Sequence, residues 1–198
     1  MSDLIPELSF KDIEKGDSNS INILKEALSN HGFFSITNHG LSKDLIDCCY
    51  KCSKDFFDLD FETKNTYSSV GSKGARGYTP KGIETAVGEK IADQKEFWHH
   101  GPVVDETYDN KIPTNIDIKE VEDFNKHFDA LYIELHQIGT RVLKVIALSL
   151  GLDRDYFDNW VEKGNSLLRS IHYPPVDSQS NPHRARAHED INLITLLI

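Results

Sequence analysis

Apolar residues recur at intervals of three and four in two segments near the N-terminus, which predicts two helices. The first covers residues 18–30, with a polar N-cap at Ser18, Asn19 or Ser20. The second begins at Ser42, and its apolar stripe would face a core. The stripes consist of Ile21, Leu24, Ala27 and Leu28 in the first helix and of Leu45, Cys49, Cys52 and Phe56 in the second.

Residues 118–150 show the most regular pattern, because apolar side chains step by three and four from Val121 to Val145. At 1.5 Å per residue this predicts a helix about 50 Å long. A coiled coil is the alternative, but the flanking charges are not paired and the C-terminal part is apolar on several faces. A helix laid against a domain core is therefore favoured. Gly151 would end it, and a short helix capped by Asp153 would follow.

The remaining runs are short and strand-like, and most of them contain bulky or β-branched residues. These runs cover residues 33–37, 93–99, 167–173, 184–190 and 192–198. A glycine-rich stretch, residues 68–82, is either a plain surface loop or a wall beside a substrate. It lacks the spacing of a phosphate-binding P-loop.

The composition is that of a soluble globular chain, and it excludes several classes. The 198 residues, 38% of them hydrophobic and 27% charged, suffice for one ordinary domain. A net charge of -10 argues against nucleic acid or an anionic membrane as the main partner. The longest apolar stretch is too short to span a bilayer. The N-terminal residues do not resemble a secretory signal, so the cytoplasm is the expected location.

Three cysteines lie in the second predicted helix, and they permit two interpretations. Cys49-x-x-Cys52 has the spacing of half a zinc site or of a redox pair. The chain offers no second Cys/His pair at suitable spacing, so a packed or surface group of thiols is favoured. Together with Cys48 the cysteines form an odd, local set, which is not a disulfide framework and agrees with a reducing compartment.

The strongest candidate chemistry lies in His188-x-Asp190. In a strand, residues i and i+2 point to the same face, so these two side chains can offer an imidazole nitrogen and a carboxylate oxygen to one ion. They supply two of the three ligands of the 2-His-1-carboxylate triad in non-haem Fe(II) oxygenases. A second such pair, His127-x-Asp129, falls in the predicted long helix, where the side chains diverge by about 200°. It is interpreted as a solvent-exposed helix edge.

Short motifs occur along nearly the whole chain, and their order and spacing are more specific than any one of them alone. They are Ile5-Pro6, Gly32-Phe33-Phe34, Asn38-His39-Gly40, Arg76-Gly77-Tyr78 with Pro80 and Gly82, Asp93-x-Lys95-Glu96-x-Trp98, Leu168-Arg169-x-x-His172-Tyr173-Pro174-Pro175, and the run from Ala187 to Leu197. Together they resemble the Fe(II)/2-oxoglutarate-dependent dioxygenases of the isopenicillin N synthase-like family.

The resemblance implies an α+β fold. N-terminal helices with short strands and a long supporting helix would lead into a double-stranded β-helix, or jelly roll, that is truncated here. The implied segments are 1–110 for the N-terminal region, 111–163 for the long helix and the short helix, and 164–198 for the start of the jelly-roll core.

The resemblance also implies roles for the matched positions. His188 and Asp190 would be the first two Fe(II) ligands, with no catalytic residue beyond the metal ligands. Tyr173 would donate a hydrogen bond to a carboxylate of 2-oxoglutarate. Arg76 and Tyr78, in the glycine-rich loop, would face the substrate.

The implied enzyme uses Fe(II), 2-oxoglutarate and O2 to oxidise a small molecule by hydrogen abstraction, with hydroxylation, desaturation or ring closure as the outcome. Some relatives use no 2-oxoglutarate, and Ile171 here replaces an asparagine that many plant members place near this cosubstrate. The pattern defines neither the substrate nor an oligomeric state.

Two groups expected from the resemblance do not occur within the 198 residues. A distal histidine, the third ligand, and an Arg-x-Ser pair for the far carboxylate of 2-oxoglutarate would follow the His-x-Asp strand, and the sequence ends at Ile198. The expectation is therefore the N-terminal two-thirds of an oxygenase. The alternative is a catalytically incompetent fragment or binding remnant of such an enzyme.

Overall fold

The structure, a computed structural model, describes residues 5–68, 75–83, 93–175, 190 and 192–198. In chain order its elements are β1 (Glu7–Ser9), α1 (Phe10–Glu14), α2 (Ser18–Asn30), β2 (Ser35–Thr37), α3 (Lys43–Phe57), α4 (Phe61–Thr66), β3 (Gly77–Thr79), β4 (Glu96–His100), α5 (Phe124–Ser149), α6 (Asp158–Val161) and β5 (Leu168–His172).

These elements form two units, each made from two stretches of chain. The first unit comprises Met1–Ser42 and Glu134–Gly164, and the second comprises Lys43–Ile133 and Asn165–Ile198. Helix α5 contributes to both units. The segments 1–110, 111–163 and 164–198 that the family resemblance implies stay a prediction.

The first unit has a small core between α1, α2 and a two-stranded parallel sheet. β1 pairs with β2, and Leu8 lies opposite Ile36. The almost completely buried side chains of these elements are Leu8, Phe10, Ile13, Leu24 and Ala27. Arg141, on α5, donates two hydrogen bonds to the Glu14 carboxylate at 2.7 and 2.6 Å. Its guanidinium also lies 4.6 Å from the centre of the Phe10 ring, so the second half of α5 is tied to α1 by charge and by packing.

Helix α2 has the predicted range, but its N-cap lies one residue before the first of the predicted caps. Asp17 is the N-cap, and its carboxylate accepts a hydrogen bond from the Ser20 backbone N–H at 2.8 Å. The predicted caps Ser18, Asn19 and Ser20 all lie inside the helix, so that prediction was wrong. A carboxylate satisfies the same N–H as a hydroxyl would, and its negative charge also interacts favourably with the helix N-terminus.

The second unit is built on an antiparallel sheet in the order β3-β4-β5. β4 is the central strand and all five of its residues are buried. The Trp98 indole packs edge-on against the rings of Phe56 on α3 and Phe124 on α5, with ring centres 5.1 and 5.4 Å apart. Tyr78 of β3 lies opposite Trp98. One face of the sheet is therefore sealed by aromatic side chains from α3 and α5.

Helix α5 starts at Phe124, six residues after the predicted start, so the prediction was wrong over residues 118–123. Asp123 has φ = +56°, a left-handed conformation that a helix does not continue through. Ile118 and Val121 are nevertheless buried, so the apolar residues of this packed loop have the same spacing as those of a helix. The 26 residues of α5 span about 39 Å. Like the other described helices, α5 is not long and apolar enough to cross a membrane.

The predicted short helix after Gly151 is a single turn, and its cap was wrongly predicted. α6 begins at Asp158 with Phe157 as N-cap, and no side chain caps it. The Asp153 backbone carbonyl instead accepts a hydrogen bond from the Tyr156 N–H at 3.0 Å. The residues between Gly151 and α6 therefore form turns rather than helix.

Predicted strands 33–37, 93–99 and 167–173 are confirmed as β2, β4 and β5, with somewhat different ends. Residues 184–189 lie outside the described part. Residues 192–198 were predicted to form a strand, but they are irregular. The Asn192 side chain donates hydrogen bonds to the Ile194 carbonyl at 2.6 Å and to Thr195 Oγ1 at 2.7 Å. An apolar run becomes a strand only when a neighbouring backbone pairs with it, and β5 pairs with β4 alone among the described strands.

Candidate functional site

Asp190 is the only member of the predicted metal-binding pair in the described residues, because His188 lies outside them. The Asp190 side chain is exposed, and its Oδ2 accepts a hydrogen bond from Thr195 Oγ1 at 2.8 Å. The described residues contain no group of three or more His, Cys, Asp or Glu side chains that could hold a metal ion. The His188–Asp190 pair therefore stays a prediction. As a donor set, imidazole and carboxylate suit Fe(II).

Tyr173, the predicted cosubstrate contact, follows directly on the end of β5. Its side chain is half-buried. Pro174 and Pro175 come next, and they have no backbone N–H to donate to a neighbouring strand. The tyrosine therefore lies at the point where the sheet ladder ends.

Arg76 is an interior side chain, although it was predicted to face a substrate. It is 1% exposed, and its Nη2 donates a hydrogen bond to Asn165 Oδ1 at 2.8 Å. Its Nη1 donates to the Ala75 carbonyl at 2.6 Å. The guanidinium lies directly over Gly101, where a β-carbon would come within 2.0 Å of Arg76 Cζ. Among the described residues, these contacts favour a structural role for Arg76.

Tyr78, the other residue predicted to face a substrate, is also buried, at 2% exposure. Its hydroxyl donates a hydrogen bond to Glu96 Oε2. Burial and this contact with a carboxylate raise the pKa of Tyr78 well above its ordinary value. The hydroxyl therefore stays protonated and remains a donor to Glu96. Contact of Arg76 or Tyr78 with a substrate stays a prediction.

Glu96 is the centre of a buried polar cluster that sequence reasoning did not single out. Its carboxylate receives Lys64 Nζ at 2.9 Å, His172 Nδ1 at 2.8 Å and the Tyr78 hydroxyl. The side chains of Glu96 and Lys64 are both 9% exposed. Burial raises the pKa of the Glu96 carboxyl, but hydrogen bonds from Tyr78, His172 and Lys64 outweigh this and hold its pKa below the ordinary value.

The available sequence signal for this cluster was weak. The four residues come from α4, β3, β4 and β5, and they lie between 14 and 108 positions apart. The sheet register places Glu96 opposite His172, and the packing of α4 adds Lys64. The motif around Glu96 predicted a strand, but it did not indicate which residues contact the Glu96 carboxylate.

The second His-x-Asp pair also has a role that differs from its interpretation as a solvent-exposed helix edge. Asp129 Oδ1 lies 2.7 Å from Nε2 of His100, whose side chain is fully buried. Asn115 Nδ2 donates to the same oxygen at 3.4 Å and to the Gly101 carbonyl at 3.0 Å. Asp129 therefore anchors the end of β4, while the helix geometry keeps it from sharing an ion with His127.

The cysteines form a packed group, as the favoured interpretation expects. Cys49 and Cys52 are buried on α3. The Cys49 thiol lies 3.3 Å from the His127 carbonyl and the Cys52 thiol 4.0 Å from the Glu122 carbonyl. Burial raises the pKa of both thiols, that of Cys49 to about 12. A zinc or redox function at Cys49-x-x-Cys52 gains no support from these contacts.

Cys49 is expected to resist alkylation in the native protein. Thiolate is the reactive form, and a rise in pKa from 9.0 to about 12 lowers the thiolate fraction about a thousandfold near neutral pH. Timed treatment with iodoacetamide, followed by peptide mass spectrometry, should show modification of Cys48 well before Cys49. In urea all three cysteines should react at similar rates. Equal native rates for Cys48 and Cys49 would contradict the buried placement.

A family model and several known proteins match this chain. Residues 5–128 match the family model described as the N-terminal region of the non-haem dioxygenase in morphine synthesis. The 2-oxoglutarate-dependent dioxygenase ucsF of Acremonium sp. is 25% identical over 214 residues, which cover 98% of this chain and 63% of the relative. Gibberellin 20 oxidase 2 of Arabidopsis thaliana is 26% identical over 203 residues, 98% of this chain and 52% of the oxidase.

A solved structure gives a closer likeness. A Caulobacter crescentus protein assigned to the 2OG-Fe(II) oxygenase family is 37% identical, with a TM-score of 0.82 over 95% of this chain and 61% of that protein. The chain thus spans less than two thirds of the length of each protein it matches here. The family model alone covers more than half of the chain, and these relatives agree with it. The chain therefore belongs to the Fe(II)/2-oxoglutarate-dependent non-haem dioxygenase family.

Proposed function

We propose that the full-length protein is an Fe(II)- and 2-oxoglutarate-dependent oxygenase that oxidises a small organic molecule by O2 activation and hydrogen abstraction. The observation that carries this proposal is the 37% identity to the Caulobacter crescentus protein, at a TM-score of 0.82 over 95% of the chain. The reaction on the substrate would be hydroxylation, desaturation or ring closure.

His188 and Asp190 would hold the metal in this proposal. A neutral imidazole and a carboxylate are donors that suit Fe(II), and the spacing of two residues brings both to one face of an extended strand. The Asp190 carboxylate is exposed, so an ion would not have to enter a closed core to reach it. When bound, the iron supplies the redox chemistry that couples decarboxylation of 2-oxoglutarate to oxidation of the substrate.

Tyr173 would bind and orient 2-oxoglutarate. Its hydroxyl can donate a hydrogen bond to a carboxylate oxygen, and such bonds to a charged acceptor are stronger than those between neutral groups. The side chain is half-buried, so part of its surface is accessible to a ligand. Strand β5, which ends just before Tyr173 and pairs with β4, would then form the beginning of a jelly-roll core.

The proposed substrate class is a small molecule. Two proteins of similar fold were solved with such compounds, a full-length Neurospora crassa protein with alpha-KG and thymine, and JOX2 with 2OG, Fe and JA. Their identities to this chain are 23% and 24%, so the likeness concerns the fold and indicates no particular compound for this chain.

Binding of 2-oxoglutarate is expected to require a divalent metal ion. Isothermal titration calorimetry on the full-length protein, with Mn2+ as a redox-inert substitute for Fe(II), should give a saturable heat with 2-oxoglutarate. Addition of EDTA should abolish it, because the cosubstrate would share the metal with His188 and Asp190. With Fe(II) and O2 the same protein should release succinate. Absence of binding in the presence of Mn2+ would contradict the proposed function.

A further inference from the structure

Glu96 and His172 form the terminal residue pair of the β4–β5 ladder, and their side chains are in contact. The register places Glu96 directly opposite His172, and β5 ends at His172. Tyr173 follows, and after it two prolines that cannot donate to a neighbouring strand. Main-chain pairing of β5 with β4 therefore stops one residue before the proposed cosubstrate tyrosine.

The side chain of His172 continues this attachment where the backbone ladder ends. Its Nδ1 lies 2.8 Å from Glu96 Oε1. An ionised carboxylate only accepts hydrogen bonds, so Nδ1 carries the proton. The imidazole also packs against the Phe57 ring, with centres 5.3 Å apart and planes inclined by 31°. Both the position and the orientation of the ring are thus constrained.

Glu96 is itself held from three sides, so it cannot follow His172 if the strand end moves. Lys64 Nζ contacts both carboxylate oxygens, at 3.2 and 2.9 Å, and also donates to the Phe57 carbonyl at 2.9 Å. The Tyr78 hydroxyl is the third donor to this carboxylate, after Lys64 and His172. In a buried site of low dielectric such a satisfied network is rigid.

The position of His172 determines that of Tyr173. A residue that precedes proline is confined to extended conformations, because the proline ring clashes with its helical conformation. In an extended chain, neighbouring side chains point to opposite faces. With His172 anchored on the face that carries Glu96, the Tyr173 side chain is directed to the other face.

We propose that Glu96 and His172 are positioning residues that hold Tyr173 in place for the carboxylate of 2-oxoglutarate, with Lys64 and Tyr78 fixing Glu96. This inference rests on the proposed function, in which Tyr173 contacts the cosubstrate. As positioning residues, Glu96 and His172 would change cosubstrate affinity through Tyr173.

Replacement Glu96→Gln tests the inference in the full-length protein. The amide adds a donor among three existing donors and removes the charge that His172 binds. We expect 2-oxoglutarate to bind about tenfold more weakly at saturating Mn2+, because a hydrogen bond to a charged group typically contributes that much. The affinity for Mn2+ itself should stay that of the wild type. In turnover, KM for 2-oxoglutarate should rise more than kcat falls.

Two substitutions at His172 separate positioning from packing. His172→Asn retains a donor near the position of Nδ1 and should recover most of the cosubstrate affinity. His172→Phe retains the ring contact with Phe57 but loses the donor, and it should bind 2-oxoglutarate as weakly as Glu96→Gln. In a Tyr173→Phe background, Glu96→Gln should cause little further loss, because the group that it positions is gone.

Each outcome decides between the alternatives. Wild-type affinity for 2-oxoglutarate in both Glu96→Gln and His172→Phe would overturn the positioning role while leaving the proposed function intact. An equal loss of Mn2+ and 2-oxoglutarate affinity would also overturn it, since a general loss of structure affects both ligands. Failure of the wild-type protein to bind 2-oxoglutarate would overturn the proposed function, and the inference with it.

Discussion

His188→Ala is expected to abolish Fe(II)-dependent turnover of 2-oxoglutarate in the full-length protein. The substitution removes one imidazole nitrogen from the proposed triad and leaves the Asp190 carboxylate and the expected distal histidine, and two ligands hold Fe(II) more weakly than three. Loss of groups that merely support a ligand typically weakens metal binding 10–100-fold, so loss of the ligand itself should weaken it by more than about 100-fold. Anaerobic calorimetry with Fe(II) measures the binding, and succinate release measures the turnover.

The chain offers a matched control for this experiment in its second His-x-Asp pair. His127→Ala removes an imidazole at the same spacing from an aspartate, but on helix α5, where the pair cannot chelate one ion. Its partner Asp129 is engaged with His100. His127→Ala should therefore bind Fe(II) and release succinate as the wild type does. Full activity in His188→Ala would rule out the metal site assigned to His188 and Asp190.

Gly101→Ala is expected to destabilise the protein by about 2–4 kcal/mol, because it displaces a buried charged side chain. A β-carbon at residue 101 would lie 2.0 Å from Cζ of Arg76. The guanidinium would have to leave its place, and its hydrogen bonds to Asn165 and to the Ala75 carbonyl would be lost. Urea unfolding followed by circular dichroism gives the change in free energy of unfolding.

Two further variants test whether Arg76 is the cause. Gly164→Ala is the control at another glycine, since its β-carbon would meet only the Val161 carbonyl group, whose oxygen lies at 3.6 Å, an ordinary contact. It should change the stability little. In an Arg76→Ala background the cost of Gly101→Ala should largely disappear, because nothing remains to be displaced. An undiminished cost in that background would show that the glycine is needed for another reason.

Features that depend on local sequence were predicted well. The three- and four-residue apolar period located α2, α3 and most of α5, because which face of a helix is apolar is a property of consecutive residues. Errors arose where a local pattern has two structural solutions. Residues 118–123 keep the helical period although they form a packed loop, and Asp17 caps α2 in place of the serines and asparagine beside it.

The run 192–198 shows the limit of local reasoning about strands. Its residues have high strand propensity, yet in the structure they are irregular, with a bend at residues 192–193. The Ile198 carbonyl accepts a hydrogen bond from the Tyr50 hydroxyl at 2.7 Å. Strand propensity reflects how a side chain fits a sheet that already exists. Whether such a sheet is present depends on other parts of the chain.

In the candidate site, too, some features depend on local sequence and others on tertiary packing. The amino-acid sequence by itself determined the spacing of His188 and Asp190 and the succession of Tyr173 and two prolines, because each depends on residues close together in the chain. Only the tertiary structure decided that Arg76 is buried over Gly101 and that Glu96 gathers Lys64, Tyr78 and His172. Buried polar groups take whichever partner the packing of strands, helices and loops brings within hydrogen-bond distance, and that packing depends on residues far apart in the chain.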